Sequence, residues 1–105
     1  MTSQVDSVSD DFLQNVTYAT DFLKNLANEH RLMVLCTLAD GELSVSELNK
    51  VVPLSQSALS QHLSALRESG LVCTRRQSQT IYYRLNGDSA LRVIEVLRSI
   101  FCADK

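Results

Sequence analysis

The sequence has no apolar stretch long enough to cross a membrane, since the longest strong run covers only residues 32–36. Its first residues are polar and acidic, without the basic start and apolar core of an export signal. Its three cysteines are odd in number and widely spaced, unlike a secreted disulfide framework. These absences predict a protein of the reducing cytoplasm that has no membrane partner.

The short motifs that usually carry catalysis or hold a cofactor are also missing. There is no Cys-x-x-Cys pair, no catalytic Cys–His motif and no glycine-rich cofactor loop. The histidines, His30 and His62, are not spaced with a cysteine as metal ligands would be. We therefore expect no enzyme, no cofactor and no metal site, and a thiol-dependent redox enzyme stays open as a second class of function.

An overall positive charge, typical of nucleic-acid-binding proteins, is absent because the formal net charge is −2. The charges are unevenly distributed, however. Residues 43–86 carry five basic and two acidic side chains, whereas residues 1–42 carry two basic and seven acidic ones. This asymmetry places any nucleic-acid surface in the middle of the chain.

Residues 46–69 have the pattern of a helix-turn-helix. A short helix capped by Ser46 is stopped at Pro53, and Ser55 caps a longer helix. One face of the longer helix is an apolar stripe of Leu59, Leu63 and Leu66. The outward side chains near its start are polar groups that can pair with base edges in the DNA major groove: Gln56, Ser57, Ser60 and Gln61.

Residues 71–85 are predicted to form a β-hairpin, the wing of a winged helix. The joining loop, about residues 76–79, contains no glycine, so a tight two-residue turn is not indicated. Tyr82 and Tyr83 should point to opposite faces of the hairpin, and simple cross-strand packing would account for both. The candidate contacts with phosphates or with the minor groove are Lys50, Arg67, Arg75, Arg76, Gln77 and Gln79.

The helices predicted on either side of this region are strongly apolar. The first, over residues 10–26, and the last, over residues 89–102, each carry a wide apolar stripe, so we expect them to form a homodimer interface. The second, over residues 29–39, follows a capping Asn28 and should be central to the core. The 105 residues fit a single domain, mainly α with a small β-hairpin (α+β), with residues 1–9 expected to be disordered.

These segments resemble the ArsR family of winged-helix bacterial repressors over about residues 23–102. The matching segments are LANEHRLMVLCTL, ELSVSEL, LSQSALSQHLSALRESGLV and the paired tyrosines after the wing. The resemblance implies a homodimer that binds double-stranded operator DNA and releases it when an effector binds. A winged helix that binds other proteins, or one that activates by displacing another repressor, stays open.

The same resemblance bears on the effector. One well-known metal site of the family resembles ELCVCDL, and here Ser44 and Ser46 stand in place of its thiols. Hydroxyls are poor ligands for soft metals. Another family site uses Asp and His on the last helix, which has no histidine in this chain. A metal-responsive repressor is thus the less favoured alternative.

Cys36, on the second helix, and Cys102, at the end of the last, resemble the cysteine pair of the BigR/SqrR/HlyU-type subgroup. That subgroup senses reactive sulfur or oxidants, so the resemblance implies an inorganic or organic persulfide as effector, with a general thiol oxidant as the alternative. A disulfide requires Cα atoms within about 7 Å, and each further bridging sulfur adds ~2 Å. A disulfide and a polysulfide bridge therefore both stay open.

Two observations limit this interpretation. Free cysteine is among the most buried residue types, so burial alone would account for Cys36. Cys102 lies at a helix C-terminus, whose dipole opposes a thiolate, and the cations that would have to offset it are Arg98, Arg31 or Lys105. Cys73 has no part in the family pattern and is interpreted as a strand residue.

Overall fold

The computed structural model describes residues 11–102, so the disorder predicted for residues 1–9 and the helix start predicted at Asp10 lie outside the described part. A short helical stretch, residues 11–14, comes first. The elements that follow are α1 Val16–Leu26, α2 Glu29–Leu38, β1 Leu43–Ser44, α3 Val45–Val51, α4 Gln56–Glu68, β2 Val72–Gln77, β3 Thr80–Leu85 and α5 Ser89–Phe101. This is the predicted winged helix-turn-helix, in which a short strand, β1, joins the hairpin.

The predicted first helix is interrupted at Asn15, which is a correction to the continuous helix expected there. The Asn15 N–H donates to the carbonyl of Phe12 at 2.9 Å, and the Asn15 side chain donates to the carbonyl of Asp11 at 3.0 Å. Asparagine competes with regular helix bonding through such local hydrogen bonds. The chain therefore turns before α1 begins.

The core is centred on α2, as predicted. The Asn28 side chain caps this helix by accepting from the N–H groups of His30 and Arg31 at 3.0 and 3.1 Å. The fully or almost fully buried residues of α2 are Val34, Leu35 and Leu38. They pack with the stripe of α4, with Leu48 of α3 and with Ile94 of α5. Helix α2 thus touches both the helix-turn-helix and the last helix.

The prediction that Ser46 caps α3 is wrong, because Ser44 does so. The Ser44 hydroxyl accepts from the N–H of Glu47 at 3.2 Å, and the Glu47 carboxylate accepts from the N–H of Ser44 at 2.9 Å. This reciprocal pair is a capping box, which satisfies two helix-terminal donors at once. Ser46 lies exposed inside the first turn.

Helix α4 is built as expected. Ser55 caps it by accepting from the N–H of Ala58 at 3.2 Å. Asn49 of α3 donates to the carbonyl of Leu54 at 2.8 Å, which ties α3 to the turn that precedes α4. The predicted stripe is fully buried, namely Leu59, Leu63 and Leu66. The stripe therefore fixes which face of α4 looks outward.

The wing is a tighter hairpin than the sequence predicted. Strands β2 and β3 pair antiparallel up to Gln77 opposite Thr80, which leaves a two-residue loop, and β1 pairs with the other edge of β3. Ser78 takes the left-handed conformation that the turn needs, with φ of 57°. Such a conformation costs a non-glycine residue on the order of 1–2 kcal/mol, which continuous strand pairing offsets. Tyr83 packs on the core while Tyr82 faces Arg75, which confirms their opposite orientations.

Large exposed apolar side chains concentrate on the first and last helices. Seven of the eight in the described range lie on α1, on α5 or in the short helical stretch before α1: Phe12, Leu13, Tyr18, Leu23, Val96, Ile100 and Phe101, each more than half exposed. An apolar surface of this kind is a typical protein-binding face. In the part of the chain that the structure describes, no helix is long and apolar enough to cross a membrane.

Candidate DNA interface and thiol pair

The outward side of α4 carries four of the predicted DNA contacts, which we call the reading face: Gln56, Ser57, Ser60 and Gln61. All four side chains are exposed because the buried leucine stripe occupies the opposite side of the helix. The first acidic residue of α4 is Glu68, at its last position. The start of α4 therefore presents donors and acceptors without a negative charge, which suits base edges and a phosphate backbone.

A polar groove beside the reading face brings together three predicted contacts from three elements. Lys50 of α3, Gln56 of α4 and Gln79 of the wing loop line a groove of about 640 Å³. Ser46, Glu47 and Thr80 contribute to its walls. The helix-turn-helix and the wing thus form one concave polar surface.

The end of the wing holds two further predicted contacts, Arg76 and Gln77, next to Gln79. Arg76, Gln77 and Gln79 are exposed there. The side-chain amide oxygen Oε1 of Gln77 accepts from Arg75 at 2.8 Å, so this side chain is already hydrogen-bonded within the wing. Arg76 lies on the other side of β2, since neighbouring strand residues alternate between faces.

Arg75 is held by an acidic partner that the sequence did not reveal. Its guanidinium donates to both Glu42 carboxylate oxygens, at distances of 2.6 to 3.1 Å, and lies 4.7 Å from the centre of the Tyr82 ring. The hydrogen bond from Arg75 is the main reason why the pKa of Glu42 is lowered. A DNA phosphate at Arg75 would have to compete with this carboxylate.

Arg67 lies apart from the other predicted contacts. It is in the last turn of α4, beside Ser64 and Glu68. It follows Gln56 by eleven residues in the sequence, which is roughly 16 Å along a helix axis. Any contact between Arg67 and phosphate would therefore be made at the far end of α4.

A polar network missed by the sequence analysis connects three helices. Arg31 of α2 donates to Nδ1 of His62 on α4 at 3.1 Å and to the side-chain oxygen Oδ1 of Asn25 on α1 at 2.9 Å. The ring centres of His30 and His62 are 6.1 Å apart. Burial, then the charge of Arg31, then that of His30 lower the pKa of His62. A neutral His62 is required here, because its Nδ1 accepts a hydrogen bond.

Cys36 and Cys102, which we call the thiol pair, occur where α2 meets the end of α5. Both are free thiols, Cys36 half-buried and Cys102 exposed. Arg98 donates to the Cys36 carbonyl oxygen at 3.2 Å, and the Cys102 N–H donates to the Arg98 carbonyl at 2.8 Å. Arg98, one helical turn before Cys102, therefore links the end of α5 to the backbone of Cys36, although Cys36 and Cys102 are 66 positions apart in the sequence.

The groups around Cys36 shift the pKa of its thiol in opposite directions. Burial raises the pKa of the Cys36 thiol; the charge of Arg98 acts against this, while the charges of Asp40 and Cys102 add to it. Arg98 also lies 3.4 Å from Asp40. Three cations were candidates from the sequence. Arg98 is hydrogen-bonded to the Cys36 backbone, Arg31 is hydrogen-bonded to His62 instead, and Lys105 is outside the described residues.

Within the described residues, the side chains that could bind a metal ion do not form a cluster. Across residues 11–102, no three side chains of His, Cys, Asp or Glu lie close enough together to hold a metal ion. Ser44, which stands where one metal site of the family has a thiol, is committed to the capping box with Glu47. Cys73 is half-buried on β2, opposite Arg84, as expected for a strand residue.

Comparison with known proteins finds relatives along most of the chain. The family described as "Bacterial regulatory protein, arsR family" matches residues 28–74. The transcriptional activator HlyU of Vibrio cholerae is 49% identical over 89 residues, which are 85% of this chain and 82% of HlyU. The structure of reduced HlyU has a TM-score of 0.82 at 48% identity and covers 88% of this chain and 97% of that chain.

Two further relatives are informative. The biofilm growth-associated repressor of Agrobacterium fabrum is 50% identical over 90 residues, 86% of this chain and 77% of the repressor. A homodimeric winged helix-turn-helix DNA-binding domain of Mycobacterium bovis, described as a possible ArsR-family regulator, has a TM-score of 0.70 at 30% identity. That match covers 88% of this chain and 82% of that chain.

Proposed function

This chain belongs to the ArsR family of bacterial transcriptional regulators, and we propose that it is a homodimeric repressor whose operator DNA is released when Cys36 and Cys102 react with a persulfide. The observation that carries the proposal is the position of the thiol pair. The two cysteines lie on α2 and at the end of α5, two helices that are in contact, and the charge of Cys102 adds to the raised pKa of Cys36. A bond between them would therefore join the core helix to the last helix.

The DNA part of the proposal rests on the reading face and the groove beside it. A helix with exposed polar groups near its start fits the major groove. Lys50 and Arg76, both exposed, would contact phosphates from α3 and from the wing. We expect double-stranded DNA as the partner because the groove is lined mainly by polar side chains and is open to solvent.

The dimer part rests on the exposed apolar surface of the first and last helices. The Mycobacterium bovis relative is described as homodimeric, which supports the same state here. A twofold dimer would place two copies of α4 at a fixed separation and so match two operator half-sites. Cys102 and Phe101 lie at the end of the same helix that supplies much of this apolar surface.

The proposed chemistry is sulfur transfer from an organic persulfide, RSSH. The Cys36 thiolate attacks the terminal sulfur, the S–S bond of RSSH breaks, and RS⁻ leaves, which gives a persulfide on Cys36. That persulfide attacks the inner sulfur of a second RSSH and expels HS⁻. The Cys102 thiolate then attacks the middle sulfur of the Cys36-bound chain and expels RS⁻, which leaves a trisulfide bridge. The net products are the bridged protein, two RSH and one H₂S, so atoms and electrons balance.

The bridge would act on DNA through the geometry of the dimer. Because α2 packs against α4 and the bridge would tie α2 to α5, a strained bridge would change the separation of the two reading faces. Operator affinity would then fall, since half-site spacing is fixed by the DNA. A reducing cytoplasm would return the pair to free thiols.

The test is operator affinity of reduced and of persulfide-treated protein, measured by fluorescence anisotropy. We expect treatment to weaken binding in the wild type and in the matched control Cys73→Ser, but not in Cys36→Ser or Cys102→Ser. Equal affinity before and after treatment would remove the switch and leave DNA binding. Mass spectrometry of the treated protein separates a disulfide from a polysulfide, and a parallel peroxide treatment separates persulfide sensing from general oxidant sensing. No catalytic turnover of the sulfur donor is expected.

A second candidate is an activator that displaces another repressor. It is favoured by the 49% identity with HlyU, which is described as a transcriptional activator. Transcription from the target promoter with purified polymerase distinguishes the two functions. A repressor lowers it with no other protein present, whereas a displacing activator raises it only when the competing repressor is added.

A further inference from the structure

We propose that Arg98 is the positioning residue of the thiol pair, which fastens the backbone of Cys36 to α5 one turn before Cys102 and supplies the positive charge beside Cys36, with Asp40 as its competitor. The inference deepens the proposed function and rests on it for its biological meaning. Its chemical content, the reactivity of Cys36, can be measured without DNA.

Arg98 contacts the backbones of both cysteines. Its carbonyl accepts from the N–H of Cys102 at 2.8 Å, and its guanidinium Nη2 donates to the carbonyl of Cys36 at 3.2 Å. The first bond is the last one of α5, and the second crosses from α5 to α2. Arg98 therefore connects the backbone of Cys36 to the backbone of Cys102, although the two cysteines are 66 positions apart.

The same guanidinium is shared with an acid. Nη2 of Arg98 lies 3.4 Å from Oδ1 of Asp40, which follows α2 and has a side chain 75% exposed. An exposed pair of this kind contributes little to stability. Its consequence is local: Asp40 neutralises part of the charge that Arg98 would otherwise offer to a thiolate at Cys36.

The charges near Cys36 agree with these roles. Burial raises the pKa of Cys36, Arg98 lowers it, and Asp40 raises it. A thiolate forming at Cys36 would attract the guanidinium and so weaken its interaction with Asp40. Since the thiolate and not the thiol attacks a persulfide, Arg98 would speed the first sulfur transfer and Asp40 would slow it.

The experiment uses the full chain with Cys73→Ser and Cys102→Ser, so that Cys36 is the only thiol. The rate of alkylation by iodoacetamide is measured from pH 6 to pH 10 with Arg98, Arg98→Lys, Arg98→Gln and Asp40→Asn. Near neutral pH we expect Arg98→Gln to react about three- to tenfold more slowly and Asp40→Asn to react faster. Arg98→Lys keeps the charge and should stay near the unsubstituted rate. Superimposable pH profiles for Arg98 and Arg98→Gln would overturn the inference.

A matched control guards against effects of charge or folding in general. Arg92→Gln removes the same charge from an exposed position on the same helix. Arg92 is not among the charged groups that shift the pKa of Cys36. The pH profile of alkylation in Arg92→Gln should coincide with that of the chain that keeps Arg92. A shift of this profile as large as that in Arg98→Gln would count against the inference. Thermal unfolding of each variant shows whether a variant that is alkylated more slowly is still folded.

The positioning role has a separate readout in the chain that keeps all three cysteines. With persulfide, Arg98→Lys and Arg98→Gln should both form the Cys36–Cys102 bridge more slowly, since both side chains are shorter and place no donor where Nη2 of Arg98 reaches the Cys36 carbonyl. An unchanged bridging rate in both variants would overturn this role. The proposed function can fail independently of this role. If the bridge forms but operator affinity stays unchanged, the switch is wrong, while the role of Arg98 in forming the bridge is retained.

Discussion

The helix-turn-helix with its wing differs from the frame formed by α1, α2 and α5 in how its candidate functional groups are held. The reading face is kept in place by local features of α4, namely its cap at Ser55 and its buried leucine stripe. The thiol pair depends on a contact between α2 and α5, made by residues far apart in the sequence. DNA contact and chemical control can therefore be changed separately, because one is supported within α4 and the other by a contact between two helices.

The largest expected effect tests whether the reading face depends on its buried support. Leu63→Ala removes a fully buried side chain from α4 and should lower the free energy of unfolding by about 2–5 kcal/mol. The neighbouring exposed Ser64→Ala should change it by less than about 0.5 kcal/mol. Urea unfolding measures both, and a loss of similar size in the two variants would contradict the assignment of faces.

The next effect separates DNA contact from chemical control. Gln61→Ala should weaken operator binding by about 1–3 kcal/mol, because a glutamine pairs with a base through two hydrogen bonds. The same variant should keep the relative loss of affinity on persulfide treatment. Anisotropy titrations of reduced and treated protein measure both quantities. If Gln61→Ala removed the response to persulfide, the two regions would not be separable.

A smaller effect concerns the start of α3, which supports the groove. Ser44→Ala removes the capping box and should lower the free energy of unfolding by about 1 kcal/mol. Ser46→Ala, two residues later, should have little effect, since Ser46 is exposed and makes no cap. Thermal unfolding of the two variants compares them. Equal losses would mean that the cap is assigned to the wrong serine.

The smallest effect concerns the network that connects the frame to α4. The pKa of His62 is lowered from 6.5 in the folded chain, by burial and by the charges of Arg31 and His30. The unfolded chain therefore takes up a proton first as the pH falls. The contribution of neutral His62 to stability is complete above pH 6.5 and is lost as the pH falls toward the folded pKa.

Urea unfolding between pH 7.5 and pH 5 measures this loss. His62→Gln, which has no group that titrates in this range, should show a shallower fall in stability. Parallel curves for the wild type and the variant would show that His62 does not contribute to the pH dependence.

The sequence was most informative where the physical cause is local. The caps at Asn28 and Ser55 and the leucine stripe of α4 depend on neighbours within a few residues, and the structure confirms them. The cap at Ser46 was wrong because a serine three residues before Glu47 forms the better, reciprocal pair. The tight turn at Ser78 was missed because its conformation is one that serine adopts only under the constraint of strand pairing.

The contacts that alter the candidate site are not local and could not be predicted. Glu42 reaches Arg75 across 33 positions and Arg98 reaches Cys36 across 62. In both cases the charges were visible in the sequence, but their partners were set by tertiary packing. Arg98 could be named as a candidate cation near the thiol pair, and only the fold distinguished it from Arg31.

The central claim is that chemistry at the frame controls DNA contact at α4. Its most direct test is the operator affinity of one preparation before and after treatment with an organic persulfide, alongside Cys36→Ser. We predict that the affinity of the wild type falls at least tenfold, about 1.4 kcal/mol. The affinity of Cys36→Ser should stay constant. An unchanged wild-type affinity, at a point where mass spectrometry shows Cys36 and Cys102 bridged, would contradict the account.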